Sequence, residues 1–211
     1  MRSTLAVLRE RIPDTVIFGG MIRDFALGGA RDFTSDVDLV SAAEDSELFD
    51  AIRQFAPLRN KFGGYRFVAG KWRFDIWSLP QTWAFKNLVV HGELFDDLLK
   101  TTFFNIDAAY YFLENRRVRQ AACFTHGIAH RILEINLEEN PAPASMARRA
   151  LKLASEHQLA LGPRLAAYVV RHASQQSPWI DEALRKRLVA HVESSSSPFE
   201  LVAQGRIPIL L

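Results

Sequence analysis

An α+β fold, in which a mixed sheet flanked by helices is followed by a small helical domain, is predicted by three features of this 211-residue sequence. Between Val16 and Val40 an apolar strand runs into a glycine pair, a helix and a second strand, the order of a strand-helix-strand unit. Between Lys71 and Leu79 the residues alternate as in a strand, with Trp72, Phe74 and Ile76 on one face and Arg73, Asp75 and Trp77 on the other. After the stretch NPAPAS, Asn140 to Ser145, the pattern is helical, so the sheet domain is expected over residues 1–140 and the helical one over 141–211.

In chain order, Ser3 to Arg11 is expected as a helix with Leu5 and Leu8 on one side, ended by Pro13. Thr15 to Phe18 is the first strand, and Met21 to Leu27 the helix after the glycine pair, closed by Gly28 and Gly29. Ala30 to Ser35 reads as a polar loop and Asp36 to Ser41 as the second strand. Leu48, Phe49, Ile52 and Phe55 recur at helical spacing in a helix over Ser46 to Phe55 that stops before Pro57. Strands follow at Leu58 to Phe62, Tyr65 to Ala69 and Lys71 to Leu79, punctuated by Gly63-Gly64 and Gly70. Thr82 to Val90 and Leu94 to Leu99 read as helices, and Tyr110 to Leu113 with Arg117 to Ala121 as a hairpin. Helices are then expected over Phe124 to Leu137, Met146 to Leu161, Arg164 to Ala173 and Trp179 to Val192, the last opened by Pro178. Ser194 to Ser197 breaks the pattern, and Ile207 to Leu211 is apolar enough to pack against a neighbour. His126 and His130 stand one turn apart, but no third ligand accompanies them, so zinc is not expected.

The chemistry concentrates in the first strand-helix-strand unit. Asp36 and Asp38 lie at i and i+2 of a strand, which turns both carboxylates to one face. Paired carboxylates suit Mg²⁺, a hard cation that keeps positions for water and phosphate oxygens. Gly19 and Gly20 let the backbone come close to a phosphorylated ligand, the helix N-terminus after them favours anions, and Arg23 can add a charge-assisted contact. Each of these features alone is an ordinary turn, cap or solvated charge; their order and spacing point to a site. Asp75, an acid in the middle of an aromatic strand, is either an exposed charge or a third carboxylate of that site.

The motif GG-x-x-RD followed by D-x-D resembles the head domain of the poly(A) polymerase and CCA-adding branch of the nucleotidyltransferase superfamily. That resemblance implies that Asp36, Asp38 and Asp75 hold two Mg²⁺ ions. It also implies that Gly19, Gly20 and Arg23 contact the triphosphate of an NTP, and Asp24, which matches the motif too, is counted with the nucleotide-binding residues, local hydrogen bonding being its other role. Thr101 to Tyr111 resembles the family segment RRDFTINA at Phe104, Ile106 and Ala108. It departs at Thr101, Thr102, Phe103 and Asp107, which leaves Asn105 and Asp107 as the candidates for ribose or base. Met146 to Leu161 resembles the family's Arg-rich neck helix at Arg149, Ala150, Leu151 and Ala154, with Lys152 keeping a charge. The family's base-pairing Glu-Asp-x-x-Arg device falls on Ala142, Pro143 and Met146, whose side chains cannot serve it. The implied reaction is transfer of a nucleoside monophosphate to a hydroxyl of RNA, such as a tRNA 3′ end. A small-molecule or protein acceptor and a binding domain that has lost its chemistry are the alternatives.

Composition constrains the partners. With 48% hydrophobic and 24% charged residues the balance is that of a globular protein, and no apolar run is long enough to span a membrane. Cys123 is alone, which excludes an internal disulfide and fits a reducing cytoplasm, and the first residues show no signal-peptide pattern. Net charge is only +2, but from Ser145 onward nine Lys or Arg face five Asp or Glu, leaving the first part net negative. Arg148, Arg149 and Lys152 on the neck-like helix are therefore the candidates for an acceptor that carries phosphates.

Overall fold

A computed structural model describes residues 1–29, 33, 36–173 and 179–201. Of the expected Ala30 to Ser35 loop only Phe33 is described, and Pro178 and the apolar end Ile207 to Leu211 lie outside the described residues. The chain groups into two compact units, Met1–Thr102 with Asp107–Phe124, and Phe103–Ile106 with the residues from Thr125 onward. No helix among the described residues is long and apolar enough to cross a membrane.

The first unit holds, in order, α1 (Arg2–Arg11), β1 (Thr15–Phe18), α2 (Gly20–Leu27), β2 (Val37–Ser41), α3 (Asp45–Ile52), β3 (Leu58–Arg59), β4 (Tyr65–Ala69) and β5 (Trp72–Ser78). It continues with α4 (Trp83–Lys86), α5 (Phe95–Leu98), β6 (Ala109–Phe112) and β7 (Val118–Gln120). The strands form one mixed sheet in the order β3-β4-β5-β2-β1-β6-β7, in which β2 and β5 run parallel and every other pair is antiparallel. This is the mixed sheet flanked by helices that the sequence predicts.

Strand alternation sorts the sheet into two faces. Ile17, Val37, Leu39, Tyr65, Phe67, Phe74 and Ile76 form one buried core with Leu8 of α1, Met21 of α2, and Leu48 and Ile52 of α3. On the other face Val16, Val40 and Tyr110 pack with Leu79, Phe85 of α4 and Leu98 of α5. Asp38, two residues before Val40, belongs to this second face.

Several expected elements are shorter, each for a visible reason. The helix expected over Thr82 to Val90 is the single turn α4, because Leu88 takes φ 55° and the N–H groups of Val89 and Val90 both return to the Ala84 carbonyl. The strand expected over Leu58 to Phe62 keeps two residues, because the Asn60 side-chain oxygen accepts from the N–H groups of Phe62 and Gly64 and folds a turn there.

The second unit contains most of α6 (Ala122–His130), then β8 (Ile132–Leu133), α7 (Pro143–His157), β9 (Ala160–Leu161), α8 (Pro163–His172) and α9 (Glu182–Ser194). The helix expected to reach Leu137 stops at His130, because Arg131 takes φ 55° and the next residues pair with β9. Proline does not delay α7 as the NPAPAS pattern suggests. Pro143 occupies its first turn, where a missing N–H costs nothing. The last helix opens at Glu182, with the Asp181 carboxylate capping the Leu184 N–H at 2.6 Å.

The start of α8 has no side-chain cap from its own N-cap residue, Gly162, and Glu134 supplies one from a distance. Its carboxylate accepts from the N–H groups of Leu165 (2.9 Å) and Arg164 (3.1 Å), with the helix dipole favouring the charge. A Cβ on Gly162 would lie 2.3 Å from Oε2 of this carboxylate, so a larger residue would push the Glu134 side chain off its capping position. Glu134→Ala should therefore lower stability by about 0.5–2 kcal/mol, the range for a lost cap. Gly162→Ala should destabilise as well, through the steric conflict. Urea unfolding of both variants checks this, and wild-type stability in both would contradict the cap.

Candidate active site

The site is built on the central parallel pair. Asp38 on β2 stands directly opposite Asp75 on β5, so both side chains leave the sheet on one face. Asp36 lies just ahead of β2, two residues from Asp38. On the other side of β5, the antiparallel register sets Arg66 of β4 opposite Asp75. The Arg66 guanidinium donates to Asp75 through Nη2 (2.6 Å) and Nε (3.0 Å), and its Nη2 lies 3.6 Å from Asp36. Arg73 Nε meets the other oxygen of Asp36 at 2.8 Å.

Asp75 is buried, 4% exposed, and also accepts from Asn60 Nδ2 at 3.3 Å. The hydrogen bond to Asp75 and then its charge raise the Arg66 pKa; burial opposes them, and the charges of Asp36 and Asp38 add lesser upward pushes. Two of the three predicted carboxylates, Asp75 and Asp36, thus meet one guanidinium, and Asp38 lies beside Asp75 in the strand register. Among the described residues no group of three or more His, Cys, Asp or Glu has the arrangement of a metal site; the positive charge at these carboxylates comes from arginine.

The glycine pair opens α2 as the sequence suggests. Gly19 adopts φ 71°, donates its N–H to the Ala109 carbonyl at 3.0 Å and accepts from the N–H of Ile22 at 3.0 Å. A Cβ on Gly20 would lie 3.2 Å from Arg23 Nη2, so the second glycine makes room for the arginine to fold back.

Arg23 itself, expected at a triphosphate, is turned inward. It is 3% exposed; its Nε and Nη2 meet Asp24 Oδ1 at 2.9 and 2.8 Å, and its Nη1 meets Asp107 Oδ1 at 2.6 Å. Burial alone would weaken its charge, but Asp107 and Asp24 outweigh burial and the net shift is upward. Asp24 and Asp107, both candidates for nucleotide binding, are the partners of Arg23.

Asn105 is occupied too, within the second unit. Its amide donates to the Ile132 carbonyl at 3.0 Å, and its oxygen accepts from the N–H groups of Ile106 and Glu134, each at 2.9 Å. Arg148, Arg149 and Lys152 are exposed on α7, whose opposite face buries Ala147, Ala150, Leu151 and Ala154; Lys152 pairs with Glu156 at 3.7 Å. Sequence reading missed Arg66 and Arg73. The alternation that puts Arg73 on the face of Asp75 is visible in the sequence, whereas the position of Arg66 depends on the register between β4 and β5.

Neither a protein-family model nor a curated protein matches the sequence. Solved structures do match in fold. The Bacillus stearothermophilus CCA-adding enzyme in complex with CTP superposes with a TM-score of 0.61 at 19% identity, over 89% of this chain and 47% of that one. The Thermotoga maritima CCA-adding enzyme complexed with tRNA gives a TM-score of 0.61 at 14% identity, over 91% and 50%. A tRNA nucleotidyltransferase complexed with a primer tRNA and an incoming ATP analogue gives 0.56 at 16% identity, over 81% and 49%. The fold is therefore the nucleotidyltransferase fold of the CCA-adding enzymes, and the chain spans about half the length of the structures it matches.

The inward turn of Arg23 has a measurable consequence. Arg23→Ala would leave Asp24 and Asp107 buried without their shared cation, a loss of about 3–5 kcal/mol for breaking a buried ion pair from one side. Chemical denaturation should read this loss directly, and a change below about 1 kcal/mol, typical of an exposed pair, would contradict the clamp.

Proposed function

We propose that this chain is a nucleotidyltransferase that carries a nucleoside monophosphate from an NTP to a hydroxyl of RNA, with a tRNA 3′ end as the acceptor class. The observation that carries the reading is the pairing of Asp38 with Asp75 across β2 and β5, with Asp75 and Asp36 drawn to one guanidinium, that of Arg66. Its setting, a fold shared with enzymes solved in complex with CTP and with tRNA, supplies the reaction class.

The carboxylate oxygens of Asp36, Asp38 and Asp75 are the hard donors that Mg²⁺ prefers; with Arg66 and Arg73 drawn onto Asp75 and Asp36 they are not arranged as a metal site, and the guanidinium groups supply the positive charge there. Asp36, Asp38 and Asp75 would hold the metal. Two bound Mg²⁺ ions would activate the attacking hydroxyl and steady the triphosphate and the departing pyrophosphate. In the reaction the acceptor oxygen bonds to the α-phosphorus, the bond from that phosphorus to the bridging oxygen breaks, pyrophosphate leaves and the hydroxyl proton passes to solvent.

The remaining residues bind and position. Gly19 and Gly20 open α2, whose N-terminus favours the phosphates. Arg23 acts on that helix end from behind, holding it through Asp24 and Asp107 rather than touching phosphate. Arg148, Arg149 and Lys152, exposed on α7, offer an RNA backbone three positive charges. Asn105 spends its polar groups inside the second unit, and Ala142, Pro143 and Met146 have no polar side chain, so base choice does not run through these positions.

Incubation with each labelled NTP, Mg²⁺ and total RNA should label the RNA fraction. Asp38→Asn and Asp75→Asn should abolish the label while the protein stays folded by circular dichroism. No labelled RNA with any of the four NTPs, or label that persists in Asp38→Asn, contradicts the reading. Neutralising Arg148, Arg149 and Lys152 together should weaken transfer most at low salt, with the deficit shrinking as salt rises.

A further inference from the structure

The arginines around the aspartates fall into two kinds. Arg23 has a side chain only 4% exposed and is locked between Asp24 and Asp107. The side chains of Arg66 and Arg73 are 51% and 62% exposed, although the Asp75 that Arg66 holds is buried. A buried arginine cannot leave without stranding two carboxylates. A half-exposed one can swing into water and be rehydrated at little cost to itself, provided that another cation takes over the buried Asp75.

The oxygens these two arginines engage are those a divalent cation would take. Arg66 is hydrogen-bonded to both oxygens of Asp75 and lies 3.6 Å from Oδ2 of Asp36, whose Oδ1 is held by Arg73 at 2.8 Å. Asp38 and Asp75 are neighbours across the parallel pair and would repel each other, and the guanidinium groups on Asp75 and Asp36 offset negative charge there.

We propose that Arg66, supported by Arg73, is the resident counter-ion of the three-aspartate cluster and competes with the divalent cation for it. Metal loading is then an exchange of one cation for another, and the arginines lower the metal affinity of the free protein. This rests on the reading of the aspartates as metal ligands given above. Arg66 is a positioning residue in this scheme: it holds the carboxylates together before metal arrives and withdraws when it binds.

The test is a Mn²⁺ titration of the full chain without nucleotide, read by the electron paramagnetic resonance signal of free Mn²⁺, so that no turnover is involved. Arg66→Gln should bind Mn²⁺ about three- to tenfold more tightly than wild type, the gain expected from removing a partly exposed charged competitor. Arg66→Lys, which keeps the charge without the bidentate fork, should fall between them and covers the case in which the Gln variant folds poorly. Arg59→Gln is the control for net charge, since it removes an arginine of the same unit whose partners are Asp45 and Tyr65. Equal affinity in wild type and the Arg66 variants, or an equal gain in Arg59→Gln, overturns the competition. In that case the metal-ligand reading stands only if Asp38→Asn still loses Mn²⁺. Absence of Mn²⁺ binding from wild type and every Arg66 variant overturns both.

Discussion

The parallel pairing of β2 with β5 is the constraint on which the candidate site depends. It fixes Asp38 directly beside Asp75, and neighbouring strands lie about 4.8 Å apart, so two carboxylates are forced together on one face. Antiparallel neighbours can be joined by a tight turn, but a parallel neighbour requires a crossover. Here the crossover is α3 with the β3-β4 pair, and it inserts β4, and with it Arg66, on the far side of β5. The connection that makes the carboxylate pair possible therefore also delivers the cation that makes it tolerable.

The sheet divides its two faces accordingly. One is closed by α1, α2 and α3 over an aromatic and aliphatic core in which Phe67 stacks on Phe74 at 5.0 Å. The other carries an apolar cluster around Val16, Val40 and Tyr110 and, further along the same strands, the aspartates. Charge and core thus share β2 by simple alternation, with Val37 and Leu39 facing one way and Asp38 and Val40 the other. Ion pairs serve two ends in this unit. At Arg23 they fasten the entry to α2 to the segment before β6, and at Arg66 they bring a cation to the buried Asp75 and to Asp36.

What the sequence reveals and hides follows from the range of the interactions. β1 and β4 have the predicted limits because their apolar alternation and flanking turn residues are local. The alternation around Asp75 is local too, but it leaves that acid either an exposed charge or a site carboxylate, and only the family resemblance singles it out. The partners of Arg23 and Asn105 are different, since Asp107 lies 84 positions from Arg23 and the Ile132 carbonyl 27 positions from Asn105. No local pattern distinguishes an arginine that will reach phosphate from one that will be buried between two aspartates. The end of α6 is hidden likewise, because the short β8-β9 pairing, and not a breaker residue, decides it. Glu134 reads as an ordinary surface acid, and only the fold brings it to the start of α8.

The central claim is that Asp36, Asp38 and Asp75 form the cation site of nucleotidyl transfer, held in readiness by arginine. Its most direct test is a crystal of the protein soaked in Mn²⁺ and measured at the manganese absorption edge. The account predicts an anomalous peak about 2.1–2.3 Å from oxygens of the three aspartates, as hard-cation coordination requires, with the Arg66 guanidinium moved off Asp75. A map with Arg66 still bridging Asp75 and Asp36, and no peak among the carboxylates at saturating Mn²⁺, would contradict it.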